Sequence, residues 1–153
     1  MDLILWRHAD AREARDELTD LDRPLSAKGE RQAAKMAKWL NLHLPESTRV
    51  LVSPALRTRQ TAEGLERRKR VIEALGPEET VDSLLHAARW PDAKEPVVIV
   101  GHQPTLGLAA AYLLAGVMQP WPIRKGALWW IKRRERDGRT EVLLHASLTA
   151  EHV

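Results

Sequence analysis

The sequence predicts an α/β fold of three layers, helices on both faces of a mainly parallel central sheet, with an antiparallel hairpin added at the C-terminal end. Three observations predict it. Short apolar runs at Leu3-Ile4-Leu5-Trp6, Val50-Leu51-Val52 and Val97-Val98-Ile99-Val100 are each followed by a polar loop and then a helical pattern. The last of these runs is continuously apolar, as a strand covered on both faces must be. Near the C-terminus two longer segments flank Asp137-Gly138, a dipeptide that favours a tight hairpin turn. At 153 residues the chain has the length of one domain, and residues 1–153 are expected to form a single unit.

The first strand ends in Arg7-His8-Ala9-Asp10. A strand end beside a loop is where open α/β sheets place their ligand sites. A guanidinium binds oxygens of an anion in pairs, and an imidazole can attack or carry a proton. Asp10 to Asp22 is a polar segment dense in Arg, Asp and Glu, read as a loop or a short exposed helix. Pro24 biases Arg23 toward extended backbone, and Ser26 suits a helix N-cap. A helix is expected over Ala27 to Leu42, with Ala33, Met36, Ala37 and Leu40 on one face. Gly29 in its first turn is costly unless another backbone or a ligand comes close there.

A second strand, Arg49 to Ser53, leads through Pro54 into a helix expected to reach about Arg70. This puts Arg57 in a first helical turn just past a strand end, where the helix dipole already favours anions. Arg67-Arg68-Lys69-Arg70 is read as the solvated C-terminal end of that helix, and Val71-Ile72 as a short third strand. Glu79 to Arg89 has a helical stripe of Val81, Leu84, Leu85 and Ala88. Pro96 to Val100 is a strand, Gly101-His102-Gln103-Pro104 a turn opened by its glycine, and Thr105 to Ala115 an apolar helix. Ala127 to Arg136 and Arg139 to Leu148 form the hairpin, with Trp129 and Trp130 on opposite faces and Arg133-Arg134-Glu135-Arg136 a solvated edge near its tip.

Bulk properties narrow the function. The net charge is +3, compatible with anionic substrates and too small to argue for nucleic acid. The basic runs lack interleaved stacking aromatics, so no nucleic-acid partner is expected. Without cysteine there is no disulfide, thiolate nucleophile or cysteine-ligated metal. No histidine spacing suggests a metal site. His43, His86, His145 and His152 are read as structural. No cofactor is expected, and no glycine-rich nucleotide loop is present. Neither a signal peptide nor a run of transmembrane length is seen, so a cytoplasmic protein with no membrane partner is expected.

Arg7-His8-Ala9, Ser53-Pro54-Ala55-Leu56-Arg57-Thr58-Arg59-Gln60-Thr61 and Gly101-His102 together resemble the histidine phosphatase superfamily, which has the phosphoglycerate mutase-like fold. The resemblance covers essentially the whole chain. The first motif departs from the usual Arg-His-Gly at Ala9, which bears on any conformation there that needs a positive φ. Arg7-His8-Ala9-Asp10-Ala11 with Arg23-Pro24-Leu25-Ser26 and Gly29 is most similar to the SixA-type phosphohistidine phosphatases. The chain between Arg57 and His102 is too short for the large lid that many superfamily members insert.

The resemblance implies a phosphatase acting on phosphohistidine carried by a protein, whether a phosphotransfer domain or a phosphotransfer-system component, within signal transduction. His8 is the implied nucleophile. Arg7, Arg57 and His102 are the implied phosphate ligands, with His102 as a cation, and Arg23 helps line the pocket. The family's general acid falls at Glu73 or the adjacent Ala74, with Asp82 a weaker candidate. A displaced acid favours a phosphoramidate, whose leaving nitrogen can be protonated beforehand. Two other functions fit less well: a small-molecule phosphomonoesterase of the same superfamily, and a phosphate-binding module without catalysis.

Overall fold

The computed structural model describes residues 1–15 and 17–153; Asp16, within the polar segment read as loop or helix, lies outside the described residues. Six strands form one sheet: β1 (Asp2–Arg7), β2 (Arg49–Val52), β3 (Arg68–Val71), β4 (Val97–Gly101), β5 (Leu128–Arg136) and β6 (Arg139–Leu148). Their order is β3-β2-β4-β1-β5-β6. The first four run parallel to one another, and β5 and β6 are antiparallel to their neighbours. The helices are α1 (Ala27–His43), α2 (Leu56–Ala62), α3 (Val81–Ala88) and α4 (Thr105–Ala115). This is the α/β class, mainly parallel sheet and C-terminal hairpin the sequence predicts.

Alternation along the central strands sorts the core into two layers. Ile4, Trp6, Val50, Val52, Val98 and Val100 face α1 through Met36, Ala37 and Leu40. Leu3, Leu5, Leu51, Val97 and Ile99 face α3 and α4 through Leu84, Ala88, Leu106 and Ala109. Each fully buried Leu or Ile here contributes about 1.5–3 kcal/mol by leaving water. The apolar stripe predicted for α1 is the one that is buried. Trp129 and Trp130 do part to opposite faces, each packing with a different layer.

The capping reading also holds. Ser26 is the N-cap of α1, and its hydroxyl accepts the Gly29 N–H at 3.0 Å. Gly29 has the predicted close neighbour, since a Cβ there would run into the Asp10 carbonyl. At the hairpin, Asp137 (φ 52°) and Gly138 (φ 74°) are both left-handed, as a two-residue turn between twisted strands requires.

Two expectations are corrected. The helix read as reaching Arg70 ends at Ala62, and Arg68 to Val71 are edge strand β3. The cause is tertiary. Asn41 of α1 binds the Gly64 carbonyl and the Glu66 N–H at 3.0 and 2.9 Å and holds the chain in a turn. The basic cluster is solvated as read, with Arg68, Lys69 and Arg70 exposed and Arg67 half-buried. Arg67 donates to the Asn41, Leu44 and Pro45 carbonyls at the end of α1. Lys69 donates to the Ala62, Glu63 and Leu65 carbonyls at the end of α2. Both complement helix dipoles, though not from within the helix first assigned to them. The second correction concerns Gly101. It closes β4 without a positive φ, so no turn there requires glycine, and a Cβ would only touch the Leu106 side chain at 3.4 Å, an ordinary contact.

Candidate active site

Parallel pairing brings the C-terminal ends of β1, β2 and β4 to one edge of the sheet. The ladder pairs Arg7 with Gly101 and Val52 with Val100. The His8 N–H then donates to the Gly101 carbonyl at 3.1 Å, and the Ser53 N–H to the Val100 carbonyl at 3.1 Å. The sequence-predicted residues Arg7, His8, Arg57 and His102 follow from this register, because each lies at or just beyond one of those ends. His8, Arg57 and His102 are buried, with 7%, 4% and 4% of their surface exposed. The two imidazoles lie 5.4 Å apart between ring centres.

His8 has a defined tautomer. Its Nδ1 is 2.8 Å from the Ala9 carbonyl, which can only accept, so Nδ1 carries the hydrogen and Nε2 the lone pair. Burial, reinforced by Arg57, Arg7 and Arg23, pushes its pKa down to about 4, against the pull of the Ala9 carbonyl. His8 is therefore neutral at pH 7, with a free nitrogen lone pair. Ala9 resolves the departure from Arg-His-Gly. Its φ is not positive, and it is buried with Leu25 and Ala33. Its N–H donates to Thr61 Oγ1 at 3.0 Å, and that hydroxyl donates to the Arg57 carbonyl at 2.7 Å. Thr61 thus ties the loop after β1 to the first turn of α2.

His102 faces Arg57 and Ser53. Arg57 Nη2 donates to Nδ1 at 3.4 Å, so the remaining hydrogen sits on Nε2 and is given to Ser53 Oγ at 2.7 Å. Burial and the charge of Arg57 push His102 down to about 3. The cationic His102 expected from the resemblance is thus a neutral ring in this structure. Arg7 Nη1 donates to the Ile123 carbonyl at 3.0 Å, and burial lowers its pKa. Among the described residues Arg7 Nε and Arg57 Nε are buried with no protein partner, spare donors of the kind an oxyanion takes up.

Arg23 joins the group through a residue that sequence reasoning missed. The Asp20 carboxylate accepts Arg57 Nη2 at 3.1 Å and Arg23 Nη1 at 2.9 Å, while the Asp20 carbonyl accepts Arg57 Nη1 at 2.7 Å. Asp20 sits in a 3-10 turn, Asp20–Asp22, within the polar segment, so what covers Arg57 comes from that segment and not from a lid between Arg57 and His102. Hydrogen bonds from Arg23 and then Arg57 hold its carboxyl below the usual range. Among the described residues it is the one carboxylate hydrogen-bonded to any of the four side chains. The only sequence signal for it is the i,i+3 spacing to Arg23.

Glu73 is not brought to the site. It is exposed on a 3-10 turn, Glu73–Leu75, and no hydrogen bond or ion pair joins it to the four side chains. Ala74 and Asp82 line a separate depression with Arg49 and His86. Among the described residues no three His, Asp or Glu side chains gather as a metal ligand set, and no helix is long and apolar enough to cross a membrane.

The buried pair of imidazoles, one with a free nitrogen and both flanked by guanidinium groups, can accept a tetrahedral oxyanion and attack its central atom. Residues 3–80 match the model of the histidine phosphatase superfamily, branch 1. The chain belongs to this superfamily. It is 34% identical over 128 residues to the phosphohistidine phosphatase SixA of Escherichia coli K12, covering 78% of each chain. Among solved structures it is similar to a SixA-type protein of Nakamurella, with a TM-score of 0.77, 26% identity and coverage of 96% of this chain and 94% of that one. It is similar also to the protein histidine phosphatase SixA in complex with tungstate, with a TM-score of 0.75, 26% identity and coverage of 98% and 97%. The superfamily member described here thus has the phosphoglycerate mutase-like fold and SixA-like relatives.

Proposed function

We propose that this chain removes the phosphoryl group from phosphohistidine on a protein, through a phosphohistidine intermediate on His8. The observation that carries the reading is the tautomer of His8: with Nδ1–H held by the Ala9 carbonyl, the Nε2 lone pair is free in a site lined by guanidinium groups. Nε2 attacks phosphorus as the P–N bond of the substrate breaks, and the departing imidazole keeps a proton taken up from solvent beforehand. Water then attacks phosphorus on His8, the P–Nε2 bond breaks, and inorganic phosphate leaves. Arg7 and Arg57 hold the phosphoryl oxygens. His102 protonates at Nδ1 when a dianion offsets the charge of Arg57, and then donates to an oxygen. Such positioning and charge compensation supply most of the catalysis in phosphoryl transfer.

The choice of phosphohistidine over a phosphate monoester rests on the acid. An alkoxide leaving group needs a proton, a contribution of roughly 10²–10⁴-fold. Asp20 is ionised by its two arginines and cannot donate one at neutral pH. The relationship to phosphohistidine phosphatase SixA and the tungstate bound by one SixA structure support the same substrate class and an oxyanion ligand. We place residues 1–153 in one catalytic domain of a cytoplasmic signalling enzyme that needs no cofactor. The test is phosphate release from a phosphohistidine-bearing protein by the native chain and by His8→Ala. Release that vanishes in the variant, with trapped phosphate on His8 in acid-free quench, supports the reading. Release unaffected by the substitution, or release only from alkyl phosphates, overturns it.

A further inference from the structure

A second basic region adjoins the site and is not consumed by the chemistry above. An open cleft of about 550 Å³ runs from Arg7 along α1, lined by Lys28, Arg31 and Lys35 and by Arg124 and Lys125 of the loop before β5. Lys28, Arg31 and Lys35 share one helix face at i, i+3 and i+7 spacing, covering ~10 Å. Asp10 and Glu151 also line the cleft, but Asp10 is already bonded to Ser26 and Lys125 at 2.6 and 3.2 Å. Among the described residues Lys28, Arg31, Lys35 and Arg124 have no ion pair. Like charges stacked on a helix face repel, an arrangement that opposing carboxylates would relieve.

The cleft is registered to the phosphoryl site. The Ile123 carbonyl accepts Arg7 Nη1, and the Gly126 N–H donates to the His8 carbonyl at 3.0 Å. Trp6 Nε1 donates to the Gly126 carbonyl at 3.0 Å. The loop carrying Arg124 and Lys125 is therefore pinned on both sides to the strand end that presents His8. The basic run of β3 differs, because Arg67 and Lys69 there are spent on helix carbonyls.

We propose that this cleft docks an acidic segment of the protein substrate next to its phosphorylated residue, an inference that rests on the phosphohistidine-protein reading above. Carboxylates about one to two helical turns from the phosphoryl group meet Lys28, Arg31 and Lys35 while the phosphoryl group meets Arg7. A nucleic acid is disfavoured, since no aromatic side chain lines the cleft for base stacking and Asp10 and Glu151 interrupt its positive charge.

The test uses two synthetic peptides, each with one phosphohistidine, flanked by glutamates in one and by glutamines in the other. The native chain is compared with the triple variant Lys28→Glu/Arg31→Glu/Lys35→Glu, all three positions being exposed. The expected result is about tenfold higher kcat/KM for the glutamate peptide at low salt, arising in KM and shrinking as salt screens it. The variant loses that preference and turns over the glutamine peptide as the native chain does, which also reports that it is folded. Equal kcat/KM for both peptides, a preference that survives the triple charge reversal, or equally tight binding of a random oligonucleotide overturns the proposal. If neither peptide is hydrolysed, the phosphohistidine reading fails separately. Fluorescence anisotropy of the same peptides, with a stable phosphoryl-triazole replacing phosphohistidine, then decides the docking: tighter glutamate-peptide binding lost in the variant supports it, and equal binding overturns it.

Discussion

The Ser53 hydroxyl accepts the Nε2 hydrogen of His102 at 2.7 Å, with both groups buried at the edge of the sheet. This bond sets which nitrogen of His102 is left to face Arg57. A hydrogen bond of this kind is worth about 1 kcal/mol net. Ser53→Ala is therefore expected to lower kcat/KM on a phosphohistidine peptide about five- to tenfold, with the fold intact. Nitrogen NMR of His102 checks the cause: the mixture of ring tautomers should shift in the variant. An unchanged tautomer together with unchanged kinetics would mean that Ser53 does not set the proton on His102.

The two buried imidazoles make stability depend on pH. His8 and His102 are neutral when folded, with pKa values near 4 and 3, below the 6.5 of an ordinary histidine. Between those values the unfolded chain binds protons that the folded chain does not. The stability they contribute is complete above pH 6.5 and is lost as pH falls toward 4 and then 3. The midpoint of urea unfolding should thus fall across this window. The slope should be shallower in His8→Ala and in His102→Ala. In activity, the acid limb of kcat/KM assigned to the free protein should lie near pH 4.

Asp20 offers its carboxylate to the two guanidinium groups that are expected to hold phosphate. Asp20→Asn removes the competing negative charge and keeps the shape of the turn. Inorganic phosphate should then bind about five- to tenfold more tightly, read by calorimetry, since a full charge near paired arginines outweighs one neutral hydrogen bond. Weaker phosphate binding in the variant would mean that Asp20 chiefly orients Arg57.

At Gly29 a methyl group would collide with the Asp10 backbone, two residues from His8. Gly29→Ala should cost about 1–3 kcal/mol in urea unfolding despite the better helix propensity of alanine, as overpacking does. Because Asp10 follows His8 and Ala9 directly, activity should drop further than stability alone explains.

How far the site could be read ahead of the structure depended on what marked each residue. Arg7, His8, Arg57 and His102 each follow an apolar run or its proline, so their place at a strand end was legible from the pattern alone. Asp20 was not, because it lies among many acids and bases with no periodicity to single it out, and only the fold brings it to Arg57, 37 positions away. The end of α2 is hidden in the sequence for a similar reason. Arg67 to Arg70 suit an exposed helix and an exposed edge strand equally, and the decision came from Asn41 and the helix carbonyls at the far side of the turn. For Glu73, nearness along the chain did not translate into nearness in space, because a 3-10 turn leaves it exposed.

The position of β1 in the sheet bears on how the molecule comes to exist at all. The opening strand is central, paired with β4 on one side and β5 on the other. Its amides and carbonyls find their ladder partners only once residues 97–101 and 128–132 are present. During synthesis the strand that leads into His8 precedes both of its partners and is seated late, across the longest strand-pairing separations in the fold. The helices can form locally in the meantime, but the apolar run Leu3-Ile4-Leu5-Trp6 must stay unpaired until most of the polypeptide has been produced. Reactivity and foldability are therefore coupled: the strand that leads into His8 has both of its neighbours only in fragments that extend through β5, and a truncation ahead of β5 would leave it on an open edge prone to aggregation.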